Sequence, residues 1–329
     1  MSKIYIAHDF NLKIYLYKIP NENYLFTFLD KNKIKLIDIN KIKKEELNKI
    51  QIYWGNRITK KALNVFPNLK WVHFASSGVS EEIKNLLKKN NIKATNSKGI
   101  FNESITQLIF TFIFLICSGV HFFNKTKKNN YNRLYCDKFI KYNNLLFEKN
   151  ILILGYGQIS KFLISKLKYF NKNISIVVNK KFSSIDGVKK IYLYKNINKA
   201  FEKNNLIINL LPQNSDTFKA IDGNLLKKLP KYSSFINVSR GDIINNKELI
   251  NYIKKNKGFI YATDVFSRKD YVNPYKPVNI NNILFSLDRV IVTPHIGAHS
   301  NNFWEKQIIL FSKNLNLFLK SKKLINKLY

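Results

Sequence analysis

Arginine, acidic residues and glycine are all scarce in this chain. Of its 56 basic residues five are arginine: Arg57, Arg133, Arg240, Arg268 and Arg289. The 56 basic residues outnumber 21 acidic residues, which gives the chain a formal net charge of +35. Such a charge usually suggests a nucleic acid or an acidic membrane as partner, but base and phosphate recognition depends strongly on arginine. Lysine, asparagine and isoleucine share A/T-rich codons, so codon bias also explains the charge. We expect no specific nucleic-acid partner, and polyanion binding stays open as an alternative.

Cysteine is nearly absent, and no apolar run is long. Cys117 and Cys136 form neither a disulfide framework nor a metal-ligand spacing, so we expect no bound metal and a reducing, cytoplasmic setting. The N-terminus lacks the apolar core of a signal peptide. The apolar run at 108–117 falls short of the ~20 residues that span a bilayer, so we expect no membrane partner. We interpret 104–123 as a long apolar helix, begun by a capping box at Ser104, through which the chain forms a homodimer.

The remaining chain alternates strand and helix patterns, and its 329 residues suggest about two domains. The predicted strands are 3–7, 24–28, 34–37, 50–54 and 71–74, then 151–154, 174–178, 206–211, 234–238, 259–262 and 290–292. The predicted helices besides 104–123 are 43–49, 60–66, 80–89, 159–170, 224–228, 246–256 and 301–318. Strands separated by helix-length segments indicate α/β architecture with parallel sheets.

A glycine-rich turn joins the strand at 151–154 to the next helix. The turn reads Gly155-Tyr156-Gly157-Gln158-Ile159-Ser160. In a dinucleotide site the first glycine makes the tight turn, the second lets the backbone approach the diphosphate, and the third position must be small. The helix N-terminus then faces the negative charge. We therefore assign Gly155, Tyr156, Gly157, Gln158 and Ile159 to cofactor binding.

The acidic residue that usually binds the ribose hydroxyls is missing. It should follow the next strand, about 20 residues on, where Val178 precedes Asn179, Lys180 and Lys181. A basic loop suits a 2′-phosphate. The expected cofactor is therefore NAD or NADP, with a slight preference for NADP.

Further segments carry a specific resemblance. They are 54–57, 69–79, Leu210-Leu211-Pro212, 236–244, Asp264-Val265-Phe266 and 292–299. From about residue 50 to residue 300 the chain resembles the D-isomer-specific 2-hydroxyacid dehydrogenases, in particular the hydroxypyruvate/glyoxylate reductase branch. The resemblance implies two Rossmann-like doubly wound parallel-sheet domains. It implies an NAD(P)-binding domain at 102–297, inserted in a discontinuous substrate domain formed by 1–101 and 298–329.

Reducing a 2-keto acid needs a hydride donor, a cation at the carboxylate and carbonyl, and a proton donor. Arg240 can hold a carboxylate as a planar fork, and the ordinary pKa of a histidine such as His295 suits general acid work. The other histidines lack such a context. The resemblance implies that Ser77, Gly78 and Val79 bind the substrate carboxylate and that Asp264 contacts the nicotinamide carboxamide. It also places Pro212, Val238, Ser239 and Arg240 at the cofactor, and we assign Asn179, Lys180, Leu211, His295 and Gly297 to the same site.

One position departs from the family pattern. The family usually has Asp-Val-Phe-x-x-Glu-Pro, in which the Glu pairs with the catalytic histidine, whereas Lys269 occupies that place here. A carboxylate raises the pKa of a neighbouring histidine, while an ammonium lowers it. Asp270 could serve as a substitute shifted by one residue. The sequence thus predicts an NAD(P)-dependent oxidoreductase acting on a small 2-keto or 2-hydroxy acid, with a catalytically impaired NAD(H)-binding or sensing protein as the alternative.

Overall fold

The computed structural model describes residues 4–10, 33–56, 58–120, 145–267, 270 and 282–329. The chain divides into two compact units. The first unit consists of Met1–Ile100 with Ser300–Tyr329, and the second of Phe101–His299. The predicted strand at 24–28 lies outside the described residues, as do Arg57 and Lys269.

The structure has the following strands and helices. The strands are β1 (Ile4–His8), β2 (Ile34–Asp38), β3 (Ile50–Gly55), β4 (Trp71–Phe74), β5 (Lys93–Asn96), β6 (Ile151–Leu154), β7 (Ile174–Val178), β8 (Lys190–Leu193), β9 (Leu206–Asn209), β10 (Ser234–Asn237), β11 (Ile260–Thr263) and β12 (Val290–Val292). The α-helices are α1 (Lys60–Val65), α2 (Glu81–Lys89), α3 (Asn102–Ser118), α4 (Gln158–Leu167), α5 (Ile197–Lys203), α6 (Gly223–Leu226), α7 (Asn246–Lys255) and α8 (Phe303–Leu319).

The first unit is built on a parallel sheet of strand order β2-β1-β3-β4-β5. Helix α8 packs on this sheet through Phe311, whose ring stacks on Trp54 at 4.1 Å between centroids and on Trp71 at 5.4 Å. These buried rings explain why the last helix of the sequence belongs to the first unit. Strand β5 was not predicted, because Ala94 is its one apolar residue. Its place at the sheet edge comes from backbone pairing with β4.

The second unit is built on a seven-stranded parallel sheet of order β12-β11-β10-β9-β6-β7-β8. The chain runs outward from β6 to β7 and β8, then returns to β9 on the other side of β6. Such a switch point opens a crevice beyond the carboxyl ends of the two central strands. The central strands are buried on both faces, as expected of a sheet covered by helices. The predicted α/β class with two doubly wound parallel sheets is confirmed.

The long apolar helix is shorter than predicted and begins earlier. It spans Asn102–Ser118 rather than 104–123, because Gly119 takes a left-handed conformation (φ 68°) at its C-cap. The capping box at Ser104 was also wrong. Phe101 is the N-cap, and the Ser104 hydroxyl lies inside the first turn, donating to the Phe101 carbonyl at 3.3 Å. Among the described residues no helix is long and apolar enough to cross a membrane.

The segment predicted as a helix at 43–49 is a 3₁₀ helix, Lys44–Lys49. Glu46 caps its N-terminus: one carboxylate oxygen accepts from the Lys43 backbone at 3.2 Å, and the other pairs with Lys35 at 2.5 Å. Strand β8 and helix α5 were not predicted, although Ile197, Ala200 and Phe201 have the i, i+3, i+4 spacing of a helix.

Candidate active site

The first glycine of the predicted turn combines a backbone conformation and a close neighbour that both disfavour a side chain. Gly155 follows β6 with φ +92°, a conformation that L-residues avoid. A Cβ there would lie 3.1 Å from the Leu210 carbonyl oxygen and 3.5 Å from Leu211 Cα. The carboxyl ends of the switch-point strands β6 and β9 therefore meet at this glycine.

The second glycine faces open space. A Cβ on Gly157 would meet no atom within 4 Å, and its φ of −90° is accessible to any residue. Gly157 is the N-cap of α4 and provides no side-chain cap, so the amino end of this ten-residue helix is not covered by its own cap residue. A glycine that neither the turn nor packing requires fits a site kept clear for a ligand. The turn fits the diphosphate of a dinucleotide, which helix N-termini attract.

Ser160 occupies the third small position of the motif and is buried at 1% exposure. Its hydroxyl donates to the Gly155 carbonyl at 2.7 Å. The serine thus satisfies a polar group of the tight turn, where a glycine would leave that carbonyl without this donor.

Strands β9 and β10 end in two asparagines, Asn209 and Asn237, that were not predicted as site residues. Asn209 accepts from the Leu211 backbone at 3.2 Å, and Asn237 accepts from the Ser239 backbone at 3.2 Å. The two amides also bond to each other at 3.1 Å. Such side-chain turns end a strand, which is why the strands predicted to reach 211 and 238 stop at the asparagines. The sequence feature that could have indicated these strand ends is an asparagine directly after consecutive apolar residues.

Arg240 follows this turn at the carboxyl end of β10. Its carbonyl accepts from the Asn237 side chain at 3.2 Å, and its guanidinium donates to the Ser239 carbonyl at 2.7 Å. The next residue must be glycine, because a Cβ on Gly241 would lie 2.0 Å from the Phe266 carbonyl carbon. Arg240 is exposed, so its guanidinium can reach a ligand while its backbone is fixed.

The loop that carries His295 is held by one buried carboxylate. Asp264, 3% exposed, accepts from the Thr293 hydroxyl at 2.6 Å and from the backbone N–H groups of Ile296 and Gly297, both at 2.8 Å. These bonds bracket His295, whose φ of +60° is uncommon for a residue with a side chain. Asp264 therefore holds the histidine in a conformation that would otherwise be unfavourable.

The charged groups around His295 shift its pKa in opposite directions. Desolvation lowers the pKa of His295 below 6.5, Asp264 raises it, and Arg240 and His299 lower it further. The residue still exposes surface, so its removal from water is partial. Asp264 is thus a carboxylate that favours the protonated imidazolium.

Two predicted contacts near His295 involve the carboxylates Asp270 and Asp264. Asp270 accepts from the Ser267 backbone at 3.2 Å, and its pairing with His295 stays a prediction. Both carboxylate oxygens of Asp264 are engaged by the His295 loop, and its contact with the nicotinamide carboxamide also stays a prediction. Arg268 and Lys269 lie outside the described residues.

Two exposed residues, Asn179 and Lys180, follow β7, and Val178 before them is buried. The Tyr156 ring of the glycine turn packs edge-on against Phe182 at 5.2 Å between centroids, which joins the turn to this loop. Many of the predicted cofactor residues follow the carboxyl ends of strands of the second sheet: Gly155, Tyr156, Gly157, Asn179, Lys180, Leu211, Pro212, Val238, Ser239, Arg240 and Asp264. Within the described residues no group of three His, Cys, Asp or Glu could hold a metal ion.

Ser77, Gly78 and Val79 lie in the first unit, in the loop between β4 and α2. The Ser76 hydroxyl donates to the Gly78 carbonyl at 3.0 Å, and Ser80 caps α2. We find no acceptor for the backbone N–H groups of Ser77, Gly78 and Val79 among the described parts of the chain. Gly78 is exposed and its neighbours are half-buried, so this turn can donate to an anion.

Comparisons with known proteins agree with this architecture. Residues 111–297, more than half of the chain, match the model of the D-isomer specific 2-hydroxyacid dehydrogenase NAD binding domain. A glyoxylate reductase of Pyrococcus horikoshii is 24% identical over 269 residues, which are 80% of this chain and 77% of that relative.

Two solved structures show the same fold along the whole chain. The D-mandelate dehydrogenase of Rhodotorula graminis has a TM-score of 0.80 at 15% identity, covering 100% of this chain and 98% of the other. An acyclic imino acid reductase, solved with NADPH and D-Arg, has a TM-score of 0.77 at 18% identity and covers 99% and 100%. The sequence-based expectation of an NAD(P)-dependent oxidoreductase is confirmed at the level of the family. The chain belongs to the D-isomer-specific 2-hydroxyacid dehydrogenases.

Proposed function

We propose that this protein reduces a small 2-keto acid of the glyoxylate or hydroxypyruvate kind to the D-2-hydroxy acid. The observation that carries this proposal is the set of hydrogen bonds by which Asp264 holds the loop on both sides of His295. Arg240 is near enough to affect the pKa of that histidine. An imidazole held in one orientation beside a guanidinium provides a proton donor and an anion-binding group together.

The chemistry divides between these side chains. Arg240 binds the substrate carboxylate and carbonyl oxygen, as a guanidinium can through parallel N–H bonds. His295 donates its proton to the carbonyl oxygen as negative charge develops there. A bound nicotinamide supplies the hydride that adds to C2. Asp264 keeps His295 in place and favours its protonated form before the transfer.

The second unit would hold the cofactor. The turn from Gly155 to Ile159 would bind the diphosphate through backbone N–H groups, with open space at Gly157. Beyond β7, Asn179 and Lys180 would face the adenosine ribose. Since no carboxylate stands there and a lysine does, we favour NADPH over NADH.

The first unit would contribute substrate binding through backbone N–H groups of Ser77, Gly78 and Val79. Such donors bind a carboxylate without adding a charged side chain. This proposal assigns substrate binding to 1–101 with 298–329, and the cofactor to 102–297.

Two expectations about partners stay predictions. A homodimer through the helix predicted at 104–123 is consistent with the exposed ring of Phe114, which contacts Phe110 and Phe170. Light scattering after gel filtration tests the dimer. The expected absence of a specific nucleic-acid partner is tested by DNA titration at several salt concentrations. Non-specific binding of DNA by lysines should weaken steeply as the salt concentration rises.

The test of the proposed function is a steady-state assay of NADPH and NADH oxidation with a panel of 2-keto acids. We expect turnover with glyoxylate or hydroxypyruvate, and loss of about 10³-fold or more in kcat for His295→Ala, because the proton donor is removed. Arg240→Ala should raise KM and lower kcat together. NADPH affinity measured by fluorescence should change little in His295→Ala. Wild-type protein that binds NADPH yet reduces no acid of the panel would refute the proposal.

A second candidate, an impaired NAD(H)-binding or sensing protein, rests on Lys269 in the place of the usual glutamate. If this alternative is right, Lys269→Glu should raise kcat by at least about tenfold, since a carboxylate beside His295 raises its pKa by a unit or more. Arg268→Glu makes the same charge change one residue away and serves as the control. No gain in Lys269→Glu over Arg268→Glu counts against the alternative.

A further inference from the structure

A continuous chain of buried polar groups crosses the first unit beneath the loop that contains Ser77, Gly78 and Val79. It begins at Trp71, whose indole N–H donates to the Thr95 hydroxyl at 2.9 Å. Thr95 lies 2.7 Å from Nδ1 of His73, and Nε2 of His73 lies 3.3 Å from the Ser97 hydroxyl. These side chains lie on the neighbouring strands β4 and β5 or, for Ser97, directly after β5, and they are inaccessible to solvent.

The chain of bonds continues into helix α8. The Ser97 hydroxyl lies 2.7 Å from Oε1 of Gln307, and the Gln307 amide nitrogen donates to the Ala75 carbonyl. Gln307 is fully buried and comes from the far end of the sequence. Its amide therefore connects the C-terminal helix to the residue where β4 ends and the loop begins.

One direction of donation satisfies every group. Trp71 can only donate, and the Thr95 hydroxyl that accepts from it can donate its own proton to Nδ1 of His73. In this arrangement the proton of His73 sits on Nε2 and points to Ser97, whose single hydroxyl proton goes to Gln307. Burial lowers the pKa of His73 to about 3, so the imidazole is neutral, as this arrangement requires.

The consequence for the loop is that consecutive carbonyls are all fixed. The Ala75 carbonyl accepts from the Gln307 amide, and the Ser76 carbonyl accepts from the Ser97 backbone at 3.1 Å. The Ser77 carbonyl accepts from the Asn96 side chain at 2.6 Å. When each carbonyl of a loop is held, the orientation of the intervening N–H groups is held too, because the peptide unit is planar.

We propose that Gln307, Ser97 and Asn96 are positioning residues for the backbone N–H groups that bind the substrate carboxylate. This inference rests on the proposed function of the Ser77–Gly78–Val79 turn. Gln307 does not touch the substrate. It acts by holding the peptide units of the turn, and fixed donors cost no reorganisation when the anion arrives.

The test compares Gln307→Met with Asn314→Leu. Asn314 is a matched control because it is equally buried on the same helix, but its amide binds the Ile325 backbone in both directions, at 3.1 and 2.7 Å, rather than the loop. Both variants lose a buried amide and should lower Tm comparably. We expect Gln307→Met to raise KM for the keto acid and Kd for oxamate by about tenfold, with kcat and NADPH affinity within about twofold. Asn314→Leu should keep the wild-type KM.

A second readout does not depend on turnover. Hydrogen–deuterium exchange in the peptide that spans residues 75–80 should accelerate in Gln307→Met and stay at the wild-type rate in Asn314→Leu, since exchange reports local opening. If Gln307→Met does not fold, Asn96→Ala removes the bond to the Ser77 carbonyl, together with the one that Asn96 accepts from the Lys98 backbone, and should give the same direction of change. Equal KM values and equal exchange in the two helix variants would overturn the inference.

The outcomes separate the inference from the proposed function. If the wild-type protein reduces no keto acid, the function fails, and the exchange experiment still decides whether Gln307 positions the loop. If the wild-type protein turns over and Gln307→Met changes neither KM nor exchange, the function stands and the positioning role is wrong.

Discussion

The carboxylate of Asp264 accepts the backbone N–H of Gly297 at 2.8 Å, and that approach leaves no space for a side chain at position 297. A Cβ on Gly297 would lie 2.8 Å from the same carboxylate and 3.0 Å from Leu108 of helix α3. The loop that carries His295 is therefore pressed against the carboxyl end of β11, and its histidine is oriented by a residue 31 positions earlier in the sequence.

The pH dependence of the reduction should follow the groups that surround His295. The desolvated imidazole has a pKa below 6.5, so the protonated donor is lost, and kcat/KM falls, as pH rises through that lowered pKa. Asp264→Asn removes the carboxylate that raises this pKa and should move the descending limb to lower pH. His299→Gln removes a group that lowers the pKa and should move the limb to higher pH. Profiles that shift in the same direction, or stay in place, would contradict this electrostatic account.

The two glycines of the nucleotide turn should respond differently to alanine. Gly155→Ala places a Cβ in a strained backbone 3.1 Å from the Leu210 carbonyl, and we expect a loss of about 1–3 kcal/mol in the free energy of unfolding. Gly157→Ala meets no atom and should leave the stability of the cofactor-free protein within about 1 kcal/mol of wild type. It should nevertheless weaken NADPH binding by at least about tenfold, because the Cβ occupies space kept for the diphosphate. Urea unfolding and NADPH titration measure the two effects, and unchanged NADPH affinity in Gly157→Ala would remove the diphosphate assignment.

The choice between NADPH and NADH should depend on Asn179. Asn179→Asp introduces the carboxylate that binds ribose hydroxyls in NAD sites and repels a 2′-phosphate. We expect the ratio of kcat/KM for NADPH over NADH to fall by about tenfold or more. Lys189→Glu changes charge at the next strand, away from this loop, and should leave the ratio unchanged. An equal fall in both variants would show that general charge, rather than position 179, determines the preference.

His73 should make the folded state sensitive to acid. Its pKa is about 3 when folded and 6.5 when unfolded, so between these values the unfolded chain binds one more proton. Stability therefore falls as pH decreases below about 6.5, by up to about 1.4 kcal/mol per pH unit from this group. Urea unfolding at pH 7, 6 and 5 should show a shallower loss in His73→Gln than in the wild type. Identical slopes would mean that His73 is not held neutral.

Local sequence patterns were sufficient to predict the strands whose position depends on the hydrophobicity of a short segment. The strands Trp71–Phe74, Ile151–Leu154, Ile174–Val178 and Val290–Val292 were predicted at the bounds they have, because a short, mainly apolar run flanked by polar residues is typical of a buried strand. The glycine turn was predicted from its spacing after a strand, and Arg240 and His295 were predicted from the motifs that carry the family resemblance. Strand β5 and the end of α3 were missed, since pairing with β4 and the left-handed Gly119 are not visible in hydrophobic periodicity.

The amino-acid sequence by itself determined the fold class, the family and the residue types available for hydride-transfer chemistry, because these follow from local patterns and motif spacing. The tertiary structure decided which groups act on one another. It bound the Asp264 carboxylate to the loop that carries His295, joined the Asn209 amide to the Asn237 amide, and brought the Gln307 amide to the carbonyl of Ala75. Such contacts depend on how strands and helices pack across 28 to 232 residues of chain. A buried hydrogen bond must find its partner in space, and no periodicity along the chain records which partner that is.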